Sequence, residues 1–100
     1  MVYFSGTIAL TESGELIQDS IEAETTQVME NIKSLLADAG LSFEHVVKTS
    51  IFLSDMAHFG QVNEVYARYF SGDYPARETV AVAGLPKAAN VEISIIAFVG

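Results

Sequence analysis

The sequence contains no cysteine and only two prolines among its 100 residues. Without cysteine, the chain can form neither a disulfide framework, nor a thiolate nucleophile, nor a cysteine-ligated zinc site. It also has no apolar run long enough to cross a bilayer, and its first residues resemble neither a signal peptide nor an arginine-rich leader. We therefore expect a cytoplasmic protein, in a compartment whose reducing conditions agree with the missing cysteines.

Positive charge is scarce as well. Five lysines and arginines stand against thirteen acidic residues, which gives a net charge of −8. Such a chain is not attracted at long range to phosphate backbones or anionic lipids, so neither a nucleic acid nor a membrane is an expected partner. Half of the residues are hydrophobic, which is enough for one packed core, and 100 residues leave no room for a second domain.

The spacing of the apolar residues predicts the element order β, β, α, β, α, β, β. Strand patterns occupy residues 2–10, 15–17, 46–53, 79–83 and 91–99. Helical spacing begins at Asp19, which forms a possible capping box with Glu22, and stops at Gly40. A second helical pattern follows Asp55, a possible cap, and runs to Phe70. This order favours an α+β fold with one mixed sheet and both helices on one of its faces.

The other face of the predicted sheet is expected to carry small, weakly polar side chains and few charges. This holds if two sets of alternating residues share that face: Tyr3, Ser5, Thr7 and Ala9 in the first strand, and Arg77, Thr79, Ala81 and Ala83 after Pro75. A surface of this kind favours packing between subunits. The alternative is a sheet with one face in water.

Arg77 is one of only two arginines, and it follows Pro75 at the entry to a predicted strand. Its planar guanidinium stays charged and matches the shape of a carboxylate, which makes it a candidate anion-binding group. The alternative is a surface arginine that pairs with Glu78 or Asp73.

Three other residues are candidates for a site. Glu92 interrupts an apolar strand, so it is either an outward-facing residue in solvent or a held carboxylate that could orient or activate water. Asn63 is either a solvated helix residue or a bridge to a loop or subunit, and Ser5 precedes a glycine that permits close backbone approach. The two histidines have no carboxylate at ligand spacing, and no glycine cluster or nucleophile elbow is present. The sequence therefore predicts no metal, cofactor or covalent intermediate.

Nearly the whole chain resembles the RidA/YjgF family, also called the endoribonuclease L-PSP family. The matching segments are 2–6 (VYFSG), 46–49 (VVKT), 59–70 (FGQVNEVYARYF), 75–77 (PAR), 85–87 (LPK) and 91–93 (VEI). The resemblance implies a chorismate-mutase-like fold and a homotrimer that packs through its sheets, with active sites in the clefts between subunits. It also implies that residues 1–100 form a single domain without the N-terminal strand and tyrosine that relatives usually carry.

The activity implied by the resemblance is that of a cofactor-independent 2-iminobutanoate/2-iminopropanoate deaminase. Such a hydrolase converts reactive 2-imino and 2-enamino acids, for example 2-aminoacrylate, to 2-ketoacids and ammonia. By the same resemblance, Arg77 would hold the substrate carboxylate, the Thr79 backbone would contact the substrate, and Glu92 would position the hydrolytic water. Ser5 and Asn63 would line or support the cleft.

Two other functions remain as alternatives. One is a non-catalytic trimer that binds small carboxylates or a protein partner and has a regulatory role. The other is RNA cleavage, an activity attributed to some relatives, against which the acidity of the chain argues.

Glu78 departs from the family pattern, in which a small residue usually follows the arginine. An adjacent carboxylate could pair with Arg77 and compete with the substrate. If strand alternation turns Glu78 to the opposite face of the sheet, this competition disappears.

Overall fold

The computed structural model describes residues 1–72 and 74–99. Within these ranges the regular elements are β1 (Val2–Thr7), α1 (Ile21–Asp38), β2 (Val46–Leu53), α2 (Phe59–Ala67), β3 (Ala76–Ala81) and β4 (Val91–Ala97). The strands form one sheet in the order β1-β4-β2-β3, in which β2 and β3 are parallel and the other neighbours are antiparallel. The predicted α+β class and mixed sheet are therefore confirmed.

The hydrophobic core lies on one side of the sheet. Along β4, buried and half-buried residues alternate, and the buried ones are Val91, Ile93, Ile95 and Ala97. Both helices cover this face through apolar residues at helical spacing: Val28, Met29, Ile32 and Leu36 from α1, and Val62 and Tyr66 from α2. Each such side chain that is fully buried contributes about 1.5–3 kcal/mol, so this layer holds the helices on the sheet.

The two helices begin and end close to the predicted residues. Ser20, rather than Asp19, caps α1, because its backbone is extended and its hydroxyl accepts the N–H of Ala23 at 3.0 Å. Gly40 follows the helix with a φ of 75°, and the N–H of Leu41 reaches back to the carbonyl of Leu36, as a C-terminal glycine motif requires.

The second helical segment is capped by Asp55, as predicted, through a bond to the N–H of Ala57 that opens a single 3-10 turn. The α-helix itself stops at Ala67, whereas the spacing predicted Phe70. From Arg68 to Phe70 the backbone N–H groups bond three residues back, so the last turn tightens.

The strands differ more from the prediction. Residues 15–17 form a single antiparallel bridge between Leu10 and Leu16 instead of a strand. β3 covers residues 76–81 instead of 79–83, because its parallel ladder with β2 begins at the pair Lys48 and Ala76. β1 and β4 stop at Thr7 and Ala97. Hydrogen bonding between neighbouring strands determines where these strands begin and end, and strand propensity predicts that pairing only weakly.

The face of the sheet away from the helices, here called the outer face, is not composed as predicted. Arg77 and Thr79 pair in register with Thr49 and Ile51, which are buried beneath the helices, so both point to the core side. In β1 a bulge between Phe4 and Thr7 places Tyr3 on the outer face and Thr7 on the core side. Ala9 is fully buried. Along β2, β3 and β4, the outer face instead carries Lys48, Ser50, Phe52, Glu78, Val80, Glu92, Ser94 and Ile96.

Among residues 1–72 and 74–99, neither helix combines the length and apolar character needed to cross a membrane.

A fully buried carboxylate, Glu24, ties α1 to the start of β4. Its two oxygens accept the backbone N–H of Asn90 at 2.7 Å and the side-chain amide of Asn90 at 3.0 Å. The remaining polar atoms of Asn90 accept from the hydroxyl and the N–H of Ser54, at 2.9 and 3.0 Å. Because every polar atom of Asn90 is used, this network fixes the chain directly before β4.

Replacing Glu24 with glutamine is expected to lower the free energy of unfolding by about 1–3 kcal/mol, because one buried amide donor then faces another. Rotating the Asn90 amide would restore that contact but lose the bond from Ser54. Urea unfolding measures the difference, and Glu12→Gln in the exposed turn is the control, with an expected change of at most about 0.5 kcal/mol. Equal stability of both variants would contradict a structural role for the network.

Tyr69 links the two helical segments, since its hydroxyl donates to Glu30 at 2.7 Å. Burial, and then the bond to the Glu30 carboxylate, raise the pKa of Tyr69 to about 12. The folded state therefore favours the protonated phenol. The stabilisation that Tyr69 gains from burial and from its bond to Glu30 is complete below about pH 10, and it is lost as the pH rises towards 12.

We expect the stability difference between the wild type and Tyr69→Phe to shrink as the pH rises from about 10 to 12. Unfolding by urea at several alkaline pH values measures this difference, and the absorbance of the tyrosinate follows the titration itself. A difference that stays constant over this pH range would contradict the assigned hydrogen bond.

Candidate active site

The guanidinium of Arg77 lies against α2, held by an amide and two aromatic rings. It donates a hydrogen bond to Oδ1 of Asn63, and its Cζ lies 5.6 Å from the ring centroid of Phe59 and 5.3 Å from that of Tyr66. Rings at this distance attract a cation and orient it without neutralising its charge. Across the described ranges, Arg77 takes part in none of the ion pairs, so donors of its fork remain for an anion.

Glu78 does not compete for Arg77. Its carboxylate lies on the outer face, 3.7 Å from the Nζ of Lys48, and accepts a hydrogen bond from the hydroxyl of Ser50 at 3.1 Å. Strand alternation thus separates the two neighbours, and the alternative in which Arg77 pairs with Glu78 is wrong. The other partner considered, Asp73, lies outside the described residues.

Tyr66 supplies a neutral ring beside the guanidinium. It is 2% exposed, and its hydroxyl donates to Oγ1 of Thr49 at 3.1 Å. Burial raises the pKa of Tyr66, and the bond to Thr49 and the charge of Arg77 oppose this only in part. The phenol therefore stays protonated at neutral pH, and the ring keeps the electron-rich face that a cation prefers.

A pocket of about 450 Å³ opens beside Arg77. The described residues that line it are Asn63, Tyr66, Ala67, Tyr74, Pro75 and Arg77, and Arg77 is the one charged residue among them. The volume lies within the range of about 300–1,000 Å³ that is usual for small-molecule sites. The arrangement can bind a small organic anion with its charge at Arg77.

Thr79 follows two residues along β3, on the same side of the sheet as Arg77. Its Oγ1 is buried and has no hydrogen-bond partner within residues 1–72 and 74–99. Because β3 is one of the two edge strands of the sheet, alternate backbone groups along it face away from the sheet and can meet a ligand.

Glu92 lies on the outer face of β4, with its carboxylate directly over Gly6 of β1. A Cβ added at Gly6 would overlap this carboxylate and would lie 2.7 Å from its Cδ. Gly6 is therefore the residue that allows Glu92 to lie against the β1 backbone, at the bulge that also carries the exposed side chain of Ser5.

Arg77 and Glu92 do not meet within one chain. Arg77 is in register with Thr49 of β2, and Glu92 is in register with Phe52 of the same strand. The two residues are thus separated by about 10 Å across the sheet and about 10 Å along it, on opposite faces. The structure brings Asn63 and Thr79 to the same side as Arg77, and places Ser5 near Glu92.

Sequence reasoning missed Phe59 and Tyr66 as partners of Arg77. Both belong to the apolar stripe of α2, and their spacing of seven residues, two helical turns, puts them on one face with Asn63 between them. That signal shows a shared helix face, but nothing in the sequence shows that β3 passes beneath it.

A profile of the family described as Endoribonuclease L-PSP matches residues 1–99. The chain belongs to the RidA/YjgF (L-PSP) family. The resemblance seen in its sequence motifs is thereby confirmed.

Among its relatives in this family, a mouse protein named 2-iminobutanoate/2-iminopropanoate deaminase is 43% identical over 100 residues, with 99% of this chain and 74% of the mouse protein covered. The crystal structure of RidA from the Antarctic bacterium Psychrobacter sp. has a TM-score of 0.92 and 41% identity, covering 97% of this chain and 79% of that one. The crystal structure of E. coli TdcF with bound serine has a TM-score of 0.92 and 34% identity, covering 98% and 80%. Relatives named for a deaminase support a deaminase-type role for this member of the family.

Proposed function

We propose that this chain hydrolyses reactive 2-imino and 2-enamino acids, such as 2-aminoacrylate, to 2-ketoacids and ammonia. The observation that carries the proposal is Arg77, oriented by Asn63 and two rings beside a pocket in whose described lining it is the one charged residue. An arginine held in this way can bind a carboxylate through two parallel hydrogen bonds. The name of the mouse relative and the serine bound to E. coli TdcF agree with a small carboxylate ligand.

The proposed reaction needs water and proton transfers but no redox step and no cofactor. An enamino acid first tautomerises to the imine. The oxygen of water then bonds to C2 while the electrons of the C=N bond move to nitrogen. One proton of the water, taken up by Glu92, passes to nitrogen and completes the carbinolamine. The second proton then moves from oxygen to nitrogen as the C–N bond breaks, ammonia leaves and C2 becomes a carbonyl carbon. Arg77 orients the substrate through its carboxylate, and Glu92 accepts a proton from the attacking water.

We further propose that the site forms between copies of the chain, in a homotrimer that packs through its outer faces. Arg77, Asn63 and Thr79 come from one copy, and Glu92 and Ser5 from its neighbour. Two observations support this arrangement. Within one chain the two groups lie on opposite faces of the sheet. In addition, Tyr3 and Val80 leave apolar surface uncovered on the outer face, at 74% and 45% exposure.

The test of this function is an acceleration assay. A pyridoxal-phosphate-dependent dehydratase generates 2-aminoacrylate from serine, and the release of pyruvate is followed with and without this protein. We expect release above the spontaneous rate. If the intact chain gives no acceleration while calorimetry shows that it binds pyruvate, a carboxylate-binding role without catalysis replaces the proposal.

A further inference from the structure

A second pocket, of about 270 Å³, lies where the residues after α2 meet the 3-10 turn Phe43–His45. The described residues that line it are Phe43, Glu44, Tyr69, Phe70 and Ser71, and none of them lines the pocket beside Arg77. Its three rings belong to the core or pack against it, and the turn directly precedes β2, an inner strand. The second pocket is therefore on the helix side of the sheet, away from the outer face at which copies are proposed to pack.

One wall of the second pocket is aromatic. The ring centroid of Phe43 lies 5.4 Å from that of Tyr69 and 5.3 Å from that of Phe70, so the three rings form one continuous cluster. The face of an aromatic ring is electron-rich. Such a wall attracts an organic cation more strongly than a neutral group of the same shape.

The charge that lines the second pocket is negative. Glu44 is exposed, and it takes part in none of the ion pairs found among residues 1–72 and 74–99. Arg68, which lies next to Tyr69 in the chain, is already bonded to Glu22 and Glu64. The protein as a whole carries a net charge of −8. A cation is thus the complementary ligand, and an anion would be repelled.

Two further features increase the negative potential at the second pocket. The carboxylate of Glu30 lies 2.7 Å from the hydroxyl of Tyr69. Tyr69 and Ser71 follow the last residues of α2, so the pocket adjoins the end of that helix at which the dipole is negative. Both features favour a positive group beside the rings.

The second pocket does not suit a metal ion. Within the described ranges, no three side chains that could ligate a metal come together. Calcium takes about six to eight oxygen ligands, and zinc takes about four ligands, whereas Glu44 is one carboxylate beside a wall of carbon. A cation that is itself partly apolar matches this lining better.

We infer that the second pocket binds a small organic cation that carries an alkylammonium group. Its carbon atoms lie against the rings of Phe43 and Tyr69, and its charge faces Glu44. The volume of about 270 Å³ is just below the range of about 300–1,000 Å³ that is usual for drug-sized ligands, so a molecule of the size of choline is expected. This binding uses none of the groups assigned to imine hydrolysis.

Choline and 3,3-dimethylbutan-1-ol are matched probes, because the alcohol has the shape of choline with a carbon in place of the charged nitrogen. Each is titrated into the full chain at constant ionic strength, and proton–nitrogen correlation NMR spectra give the Kd and the amides that shift. We expect choline to bind at least about threefold more tightly than the alcohol. The largest shifts are expected at Glu44 and Ser71.

Two variants test the assigned residues. Glu44→Gln keeps the size of the side chain and is expected to weaken choline binding about twofold to fivefold without affecting the alcohol. Phe43→Leu keeps an apolar side chain but removes a ring, and it is expected to reduce the preference for choline over the alcohol. Glu12→Gln, in an exposed turn, removes the same charge elsewhere and is expected to leave both affinities unchanged.

Several outcomes would overturn the inference. Equal affinities for the two probes would show an apolar surface without preference for charge, and choline that fails to bind at millimolar concentrations would show no site. Shifts confined to residues around Arg77 would place the ligand elsewhere. An unchanged preference in Glu44→Gln also overturns it, and that variant decides alone if Phe43→Leu fails to fold. Since none of these measurements uses enzymatic activity, the proposed function is tested separately.

Discussion

Replacing Arg77 with alanine is expected to lower kcat/KM for 2-aminoacrylate by about 10²–10³-fold. Loss of one oriented donor in a preorganised site has a cost of this size, and among the described lining residues the guanidinium is the one charged group. The substrate carboxylate would then enter without a partner, and C2 would no longer be oriented towards the water. Steady-state kinetics of pyruvate release above the spontaneous rate measure the loss.

The variant Arg77→Lys separates charge from shape. Lysine keeps the positive charge but cannot make two parallel bonds to a carboxylate, and it cannot present a planar group to Phe59 and Tyr66. We therefore expect a loss of at least about tenfold, mainly in KM, since binding of the carboxylate is weakened in both the ground state and the transition state.

Arg68 provides the matched control for Arg77, because it is the other arginine of the chain. It lies on the surface, bonded to Glu22 and Glu64, and it lines no part of the pocket beside Arg77. Arg68→Ala is expected to leave kcat/KM unchanged. Similar losses of kcat/KM in the Arg68 and Arg77 variants would mean that the net charge of the protein explains the result, and not a bond between Arg77 and the substrate carboxylate.

The sequence predicts best those elements in which buried residues recur at a regular spacing. Helical spacing locates α1 from its buried face, and strict alternation in β4 shows which of its residues are core. Alternation also predicts that Glu78 and Arg77 can be separated, as they are. These features depend only on local geometry, which repeats along the chain.

The features that the sequence does not predict depend on pairing between distant segments. The bulge in β1 reverses the expected face of Thr7, and the register of β2 with β3 puts Arg77 beneath α2. Glu24 is an acidic residue within the apolar stripe of α1, and this departure from the pattern can be seen in the sequence. Its partner Asn90, however, is 66 residues away along the chain. Neither register nor partner follows from periodicity, because both are tertiary contacts.

Replacing Glu92 with glutamine is expected to lower kcat by about 10²–10⁴-fold with little change in KM, because an amide cannot accept a proton from water. Gly6→Ala is expected to lower kcat as well, since its methyl group would displace the Glu92 carboxylate. If Gly6 acts through Glu92, the double variant should be no slower than Glu92→Gln alone. Additive losses would mean that Gly6 acts in some other way.

Mixing two inactive variants tests whether Arg77 and Glu92 come from different copies. In a cyclic trimer whose sites each take Arg77 from one copy and Glu92 from the next, an equal mixture of Arg77→Ala and Glu92→Gln contains both intact groups in about a quarter of its sites. Co-expression with two affinity tags isolates the mixed trimers, in each of which one site of three carries both intact groups, so we expect them to recover about a third of the wild-type activity. If both residues served the same site from one chain, every site would lack one of them. Mixed trimers without recovered activity would therefore contradict the shared site, whereas recovery requires that Glu92 reach across the outer face to a neighbouring Arg77.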